Sequence, residues 1–361
     1  MTFRDRIRAV LFGGKPDRVP FAPYANLIPR GDFERELRNR GMGLLSSCST
    51  VWSEMPNVSV SRRTEGDISY TTHHTPVGSV RSARKTHVGR IIDGENVEWE
   101  APVKSVGDLP PVIFMIDDTV YHTDYGRWEA AVREVGADGI VRSDGLVSPY
   151  ESAYWEGSGA YMSLETWATM QVEHPGDFAR LLEALDRRVR RRTPLALAAP
   201  GESAYFGWLG GIFGPKQFER NMLPFYREFV PLFEAAGKRC VLHADATKLA
   251  VFADLVRQTG VHIVEAFTPP PVGDLSIAEA RAAWGPEVVI WVNFPETIFW
   301  SGPEETYEYT AELLRQNARS PRFAMGLTEM GTYGVQDDET ERVFKQGLLA
   351  VLDSIEEHGR L

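Results

Sequence analysis

Thr2–Phe12 is amphipathic and charged, with Thr2 placed to cap a first helix and Gly13-Gly14 to stop it. Residues 16–23 then form an apolar stretch crowded with prolines, which predicts a first strand. From about Val51 to Lys104 the period falls to two, in Val58-Ser-Val-Ser, Ile68-Ser-Tyr-Thr-Thr, Ser79-Val-Arg-Ser and Val97-Glu-Trp-Glu, with Gly, Pro and Asp turns between. That predicts an antiparallel meander, too poor in apolar residues for a core of its own, inserted at residues 50–105.

Beyond Ile113 the pattern alternates. Helices are predicted at Asp117–Val135, Ser163–Gln171, Pro175–Arg192, Pro215–Ala236, Leu249–Thr259, Ser276–Trp284, Pro303–Gln316 and Thr340–His358. Between them fall strands at Gly139–Ser143, around Leu195–Ala199, and at Arg239–His243, His262–Phe267, Val288–Asn293 and Phe323–Gly326. Short strands alternating with longer helices imply a parallel sheet with helical crossovers. So many consecutive units predict an α/β fold, a (β/α)8 TIM barrel, with residues 1–361 as a single domain. No Gly-x-Gly-x-x-Gly follows an early strand, which weakens a dinucleotide-binding reading.

Composition narrows the partners. Hydrophobic residues are 43 % of the 361, enough for a large core, and the formal net charge of -11 disfavours nucleic acid and anionic membrane. No apolar run approaches the roughly 18 residues of a membrane span, and no signal region follows the N-terminus. A cytoplasmic location is expected, with oligomeric state open. Cys48 and Cys240, the two cysteines, are far apart, so neither a disulfide framework nor a thiolate-rich zinc knuckle is expected.

Barrel enzymes carry their chemistry at the C-terminal ends of the strands. Those positions hold His243 and Asp245, Glu265, Asn293, Thr328 and Glu329, with Glu202 and Tyr205 near the strand that precedes the glycine-rich Gly207–Gly214. His243 and Asp245, two apart in extended chain, point to the same side and suit a borderline divalent ion if another strand gives a third ligand. Glu329 is the candidate third ligand, with Glu265 and Glu202 as substitutes. The competing reading makes His243 a hydrogen-bonded strand-end histidine and Asp245 the cap of a helix near Thr247. Tyr24, Asn26, Tyr205, Trp208 and Asn293 are taken as substrate contacts. His73-His74 reads as part of a turn. Tyr150, Tyr154, Trp155, Tyr161 and Trp167 read either as core or as a pocket lining, and Arg187–Arg192 as a solvated helix face.

Four stretches resemble the uroporphyrinogen decarboxylase superfamily, in particular its corrinoid-linked methyltransferase branch. They are Gly14-Lys-Pro-Asp-Arg-Val-Pro-Phe21, Thr75-Pro-Val-Gly78, Gly214-Pro-Lys-Gln-Phe-Glu-Arg-Asn-Met-Leu-Pro-Phe-Tyr226 and Val241-Leu-His-Ala-Asp245. The last falls where many members have His-x-Cys-Gly. In thiol-methylating members that histidine and cysteine hold zinc with a distant cysteine. Here the resemblance implies His243, Asp245 and Glu329 as the corresponding set, harder and less electron-rich, better at polarising an oxygen than at activating a thiolate. It implies a metal-dependent methyltransferase, using Zn2+ or another divalent metal, that demethylates a small methoxylated or methylated compound. The methyl acceptor would be a corrinoid protein or similar carrier. Glu265 or Glu202 would orient the leaving oxygen or act as general acid. The arginine-rich and Phe-Ser-Asp-Ile segments of the true decarboxylases are missing, which argues against haem-pathway chemistry. Two rivals stand beside this: a metal-free decarboxylase or lyase using Asp245 and Arg30, and a non-catalytic binding protein on the same barrel.

Overall fold

The first helix forms as its pattern requires. It spans Phe3–Phe12, with the Thr2 side chain accepting the Asp5 N–H and Gly13 ending it at φ +92°. Its buried face (Phe3, Ile7, Val10, Leu11) joins one apolar cluster with Val241, Ile263, Val289, Trp291 and Ala324. This is a computed structural model, and it describes residues 1–86, 96–154, 160–245, 247–328 and 337–361. Two units pack separately: residues 1–50, 125–145 and 199–361 form the first, and residues 51–124 and 146–198 the second. The second thus takes in much more than the expected insertion at 50–105.

In the first unit, Ser203–Trp208, Arg239–His243, Ile263–Phe267, Val289–Asn293 and Phe323–Gly326 pair in that order as a parallel sheet. Leu44–Ser47 pairs parallel with Gly139–Arg142. Isolated parallel bridges join Met325 to Phe21, Phe21 to Met42, Tyr24 to Leu45, and Ser143 to Ala204. Residues 21–24 thus form an eighth parallel stave, bridged to Met325 on one side and to Met42 and Leu45 on the other. Two of the central strands, Ile263–Phe267 and Val289–Asn293, are buried at every residue, as expected of parallel strands covered on both faces.

Three expectations are corrected here. Asp117–Val135 is not one helix: Val120–Thr123 is extended and pairs antiparallel with Val51–Glu54, flanked by helices Leu109–Asp118 and Tyr125–Val135. A run of Thr, Val and Tyr favours that pairing over helix. Leu195–Ala199 supplies no strand, because the helix Pro175–Ala198 runs through Pro194 and the strand follows at Ser203. Pro215–Ala236 is two helices, Pro215–Asn221 and Leu223–Ala235, where Pro224 opens the second.

The second unit contains an antiparallel sheet of Ser59–Glu65, Ile68–Thr75, Gly78–Thr86 and Asn96–Glu100, in sequence order. His74 lies within a strand, bonded to Ser61 and Ser79. Tyr150, Tyr154 and Trp167 are buried and stack edge to face with centroids 5.0 and 4.9 Å from Trp167, so they are core; Trp155 lies outside the described residues. The arginine run is not merely solvated. Arg187 makes a two-bond contact with Asp117, and Arg188 reaches the Tyr161 and Ser152 hydroxyls.

Candidate functional site

The C-terminal ends of three neighbouring strands in the first unit, together with the stave at residues 21–24, converge on His243. The register that sets His243 beside Glu265 on one flank and Trp208 on the other is fixed by apolar, fully buried strand residues. Tyr24 arrives from the eighth stave, and its hydroxyl donates to Glu265 Oε2 at 2.9 Å while lying 3.3 Å from His243 Nδ1. His243 Nδ1 is also 3.4 Å from Glu265 Oε2.

Glu265 is fully buried and held by Arg142, itself 3 % exposed, which donates Nη1 to Oε2 at 2.7 Å and Nη2 to Oε1. Burial alone would raise this carboxyl, but the Arg142 charge and the His243 contact outweigh it and bring it down to about 2. Glu265 therefore stays ionised near neutrality and cannot serve there as the general acid; its geometry suits orienting His243. The Arg142 guanidinium is held protonated by the same pairing against its burial, and lies 5.5 Å over the Trp291 ring.

Backbone shape contributes to this aim. Ala266, buried, sits at φ +56°, and the pairing with Val289–Asn293 slips between Val264 and Phe267. A non-glycine residue in that region costs on the order of 1–2 kcal/mol, and such bulges re-aim neighbouring side chains. Here the neighbour is Glu265.

Asp245 does not cap a helix. Its Oδ1 accepts the Trp208 indole N–H at 2.6 Å, and its Oδ2 faces His243 Nε2 at 3.7 Å. Burial raises its carboxyl above the ordinary aspartate range, only partly offset by His243 and Trp208. Trp208 has room because residue 210 is glycine, where a Cβ would overlap the indole ring. The Tyr205 ring lies 6.2 Å from that of His243.

The remaining predicted residues divide. Asn293 is buried at its strand end, where its Oδ1 accepts the Thr328 N–H and its Nδ2 donates to Thr268, so it braces two loops. Asn26 is exposed in the turn after Tyr24. Glu202 precedes its strand, at the opposite end of the staves from His243, and pairs with Arg8 at 2.8 Å. A position before the strand cannot reach the C-terminal ends, which corrects its expected catalytic place. Glu329 lies outside the described residues. Arg142 was not singled out from the sequence, although it ends the apolar Gly139–Arg142 just as His243 ends its own strand.

Among the described residues no group of three His, Cys, Asp or Glu side chains is arranged to hold a metal ion. Glu265 does not fit as a ligand, since Arg142 and Tyr24 take both its oxygens. His243 Nε2 and Asp245 Oδ2 do fit as two donors of one set. Their separation is close to that of two ligands each about 2 Å from one ion.

No family model matches the sequence, and no curated protein does. The fold is similar to that of a methyltransferase from Methanosarcina mazei, with a TM-score of 0.55 and 12 % identity over 99 % of each chain. At that identity the likeness is one of fold. A weaker likeness, TM-score 0.39 at 10 % identity, links 94 % of this chain to 98 % of a B12-independent methionine synthase from Shewanella sp. W3-18-1, solved with selenomethionine. Among the described residues no helix is long and apolar enough to cross a membrane.

Proposed function

We propose that this chain is a (β/α)8-barrel methyltransferase of the uroporphyrinogen decarboxylase-like type, moving a methyl group from a small methoxylated or methylated compound to a corrinoid protein. The observation that carries this reading is His243 Nε2 facing Asp245 Oδ2 at 3.7 Å, with Nδ1 backed by Glu265. A carboxylate behind Nδ1 favours the tautomer with its proton there, which leaves a lone pair on Nε2. That lone pair and a half-buried carboxylate then point at one another, an arrangement that a cation or a proton between them would stabilise.

His243 and Asp245 would hold Zn2+ or another divalent ion, with Glu329 as third ligand. Such an ion, when bound, acts as a Lewis acid toward an ether or hydroxyl oxygen. The protein's own part is positioning. Arg142 and Tyr24 fix Glu265, Glu265 orients His243, and Trp208 turns Asp245 so that one oxygen remains for the site. Tyr24, Tyr205 and Trp208 are the groups a small substrate would meet. Arg30, which the lyase alternative would use, is paired with Glu34 at 2.7 Å, which favours the methyltransferase reading.

The test is metal analysis of the purified protein, followed by anaerobic incubation with methoxylated compounds and cob(I)alamin, read as methylcobalamin absorbance. Expected are one divalent ion per chain, its loss in His243→Ala and Asp245→Ala, and substrate-dependent methylation. A metal-free wild type would overturn the ion; carbon dioxide release without corrinoid would favour the lyase.

A further inference from the structure

A concave feature lies at the other end of the first unit's staves from His243. A cleft of about 300 Å³ opens beside the starts of Gly139–Arg142 and Ser203–Trp208, walled by Leu11, Trp128, Val132 and Ile140, with Arg4, Arg8 and Glu202 among its polar lining. Arg8 and Glu202 pair at 2.8 Å across exposed positions and neutralise each other. Arg4 differs. Its Nε donates to the Gly139 carbonyl at 3.3 Å and its Nη2 to the Gly136 carbonyl. Both acceptors are neutral, and among the described residues no carboxylate forms an ion pair with Arg4.

The geometry matters as much as the charge. One edge of the guanidinium is spent on the two carbonyls, which fixes the group in place. The end formed by Nη1 and the outer Nη2 hydrogen remains, and that is the fork that grips a carboxylate with two parallel bonds. Trp128 supplies an aromatic wall, and its indole N–H is buried with no hydrogen-bond partner, a sign that the wall is not satisfied by the protein alone. The polar groups sum to a single uncompensated positive charge, two arginines against one glutamate, and the volume suits a ligand the size of one ring.

We propose that this cleft binds a small monocarboxylate with an apolar ring, its carboxylate on Arg4 and its ring among Trp128, Val132 and Ile140. With Arg8 and Glu202 paired, Arg4 offers one positive charge and a second negative charge would go unpaired, so a dicarboxylate or phosphate is a poorer fit. The site is independent of the methyl-transfer reading and lies at the far ends of the strands from His243.

Benzoate is the probe, titrated into the full-length protein by calorimetry and by tryptophan fluorescence. Saturable binding is expected, with terephthalate, benzyl alcohol and inorganic phosphate competing poorly. Arg4→Gln should weaken it at least roughly tenfold, the scale of a lost charge-assisted pair. Because Arg4 also braces a loop, Val132→Trp gives a second test: it leaves Arg4 in place, fills the cleft and should abolish binding. His243→Ala should leave benzoate binding unchanged. No binding at about 10 mM benzoate, a free energy too small for a formed site, overturns the proposal. So does equal affinity in Arg4→Gln and Val132→Trp, or loss of binding in His243→Ala alone.

Discussion

Removing the Arg142 side chain is the most informative single perturbation of the buried network. Arg142→Met keeps the apolar stem of the side chain but leaves the Glu265 carboxylate, 0 % exposed, facing only Tyr24 and His243. Stripping one partner from a buried pair costs about 3–5 kcal/mol. The carboxyl's displacement has the matching sign: it lies at about 2 instead of the ordinary 4.5, because the Arg142 charge and the His243 contact outweigh burial. Because the folded value is the lower one, this contribution is fully present above pH 4.5 and is lost as the pH falls through about 2. Urea unfolding of wild type, Arg142→Met, Glu265→Gln and the double variant, repeated across the acid range, measures it. The double variant should recover most of the loss, since two neutral side chains leave no buried charge, and the cycle should return a coupling of about 3 kcal/mol. Arg142→Met within about 1 kcal/mol of wild type, or a double variant no more stable than the single, would refute the reasoning.

Three further outcomes follow from local geometry. Trp208→Phe removes the donor to Asp245 and should weaken retention of a divalent ion by roughly tenfold in a chelator competition, the scale of a hydrogen bond to a charged group; Gly210→Ala, which displaces the indole, should reproduce the effect with Trp208 still present. Ala266→Gly should be neutral or stabilising by up to about 1 kcal/mol in urea, while Ala266→Val, a branched residue at positive φ, should be clearly destabilising. Ser276→Ala removes a capping box in which the Ser276 side chain accepts the Glu279 N–H, and should cost about 1 kcal/mol of thermal or urea stability.

What the sequence disclosed and what it hid have separate physical causes. Helix Pro303–Gln316 and strand Phe323–Gly326 appear where periodicity puts them, because caps and apolar alternation act within a few residues. The strand Val120–Thr123 stayed hidden since its partner, Val51–Glu54, is remote in sequence and only that pairing overrides the helical flanks. His243 and Asp245 were legible as a pair from their spacing at a strand mouth. That Glu265 is neutralised by Arg142, and that Glu202 sits at the wrong end, were not. Both depend on where a strand begins relative to its neighbours, and a shift of a few residues at Ser203 moved Glu202 from one end of the staves to the other. The left-handed Ala266 left no local signal, for alanine carries no mark of the conformation it is forced into.

The eighth stave has a consequence for how the molecule is assembled during synthesis. Ala22 and Tyr24 donate to the carbonyls of Met325 and Leu327, and Met325 donates back to Pro20. A residue that backs His243 is thus clasped by segments some three hundred positions later in the chain. Contacts of such sequence separation form late, after the intervening loop closures. A nascent chain that ends between Asn293 and Phe323 has every strand from Leu44 to Asn293 yet nothing to hold Tyr24 from that side. The site is therefore finished at the last step of folding, and chains arrested before that point should expose strand edges and depend on chaperones.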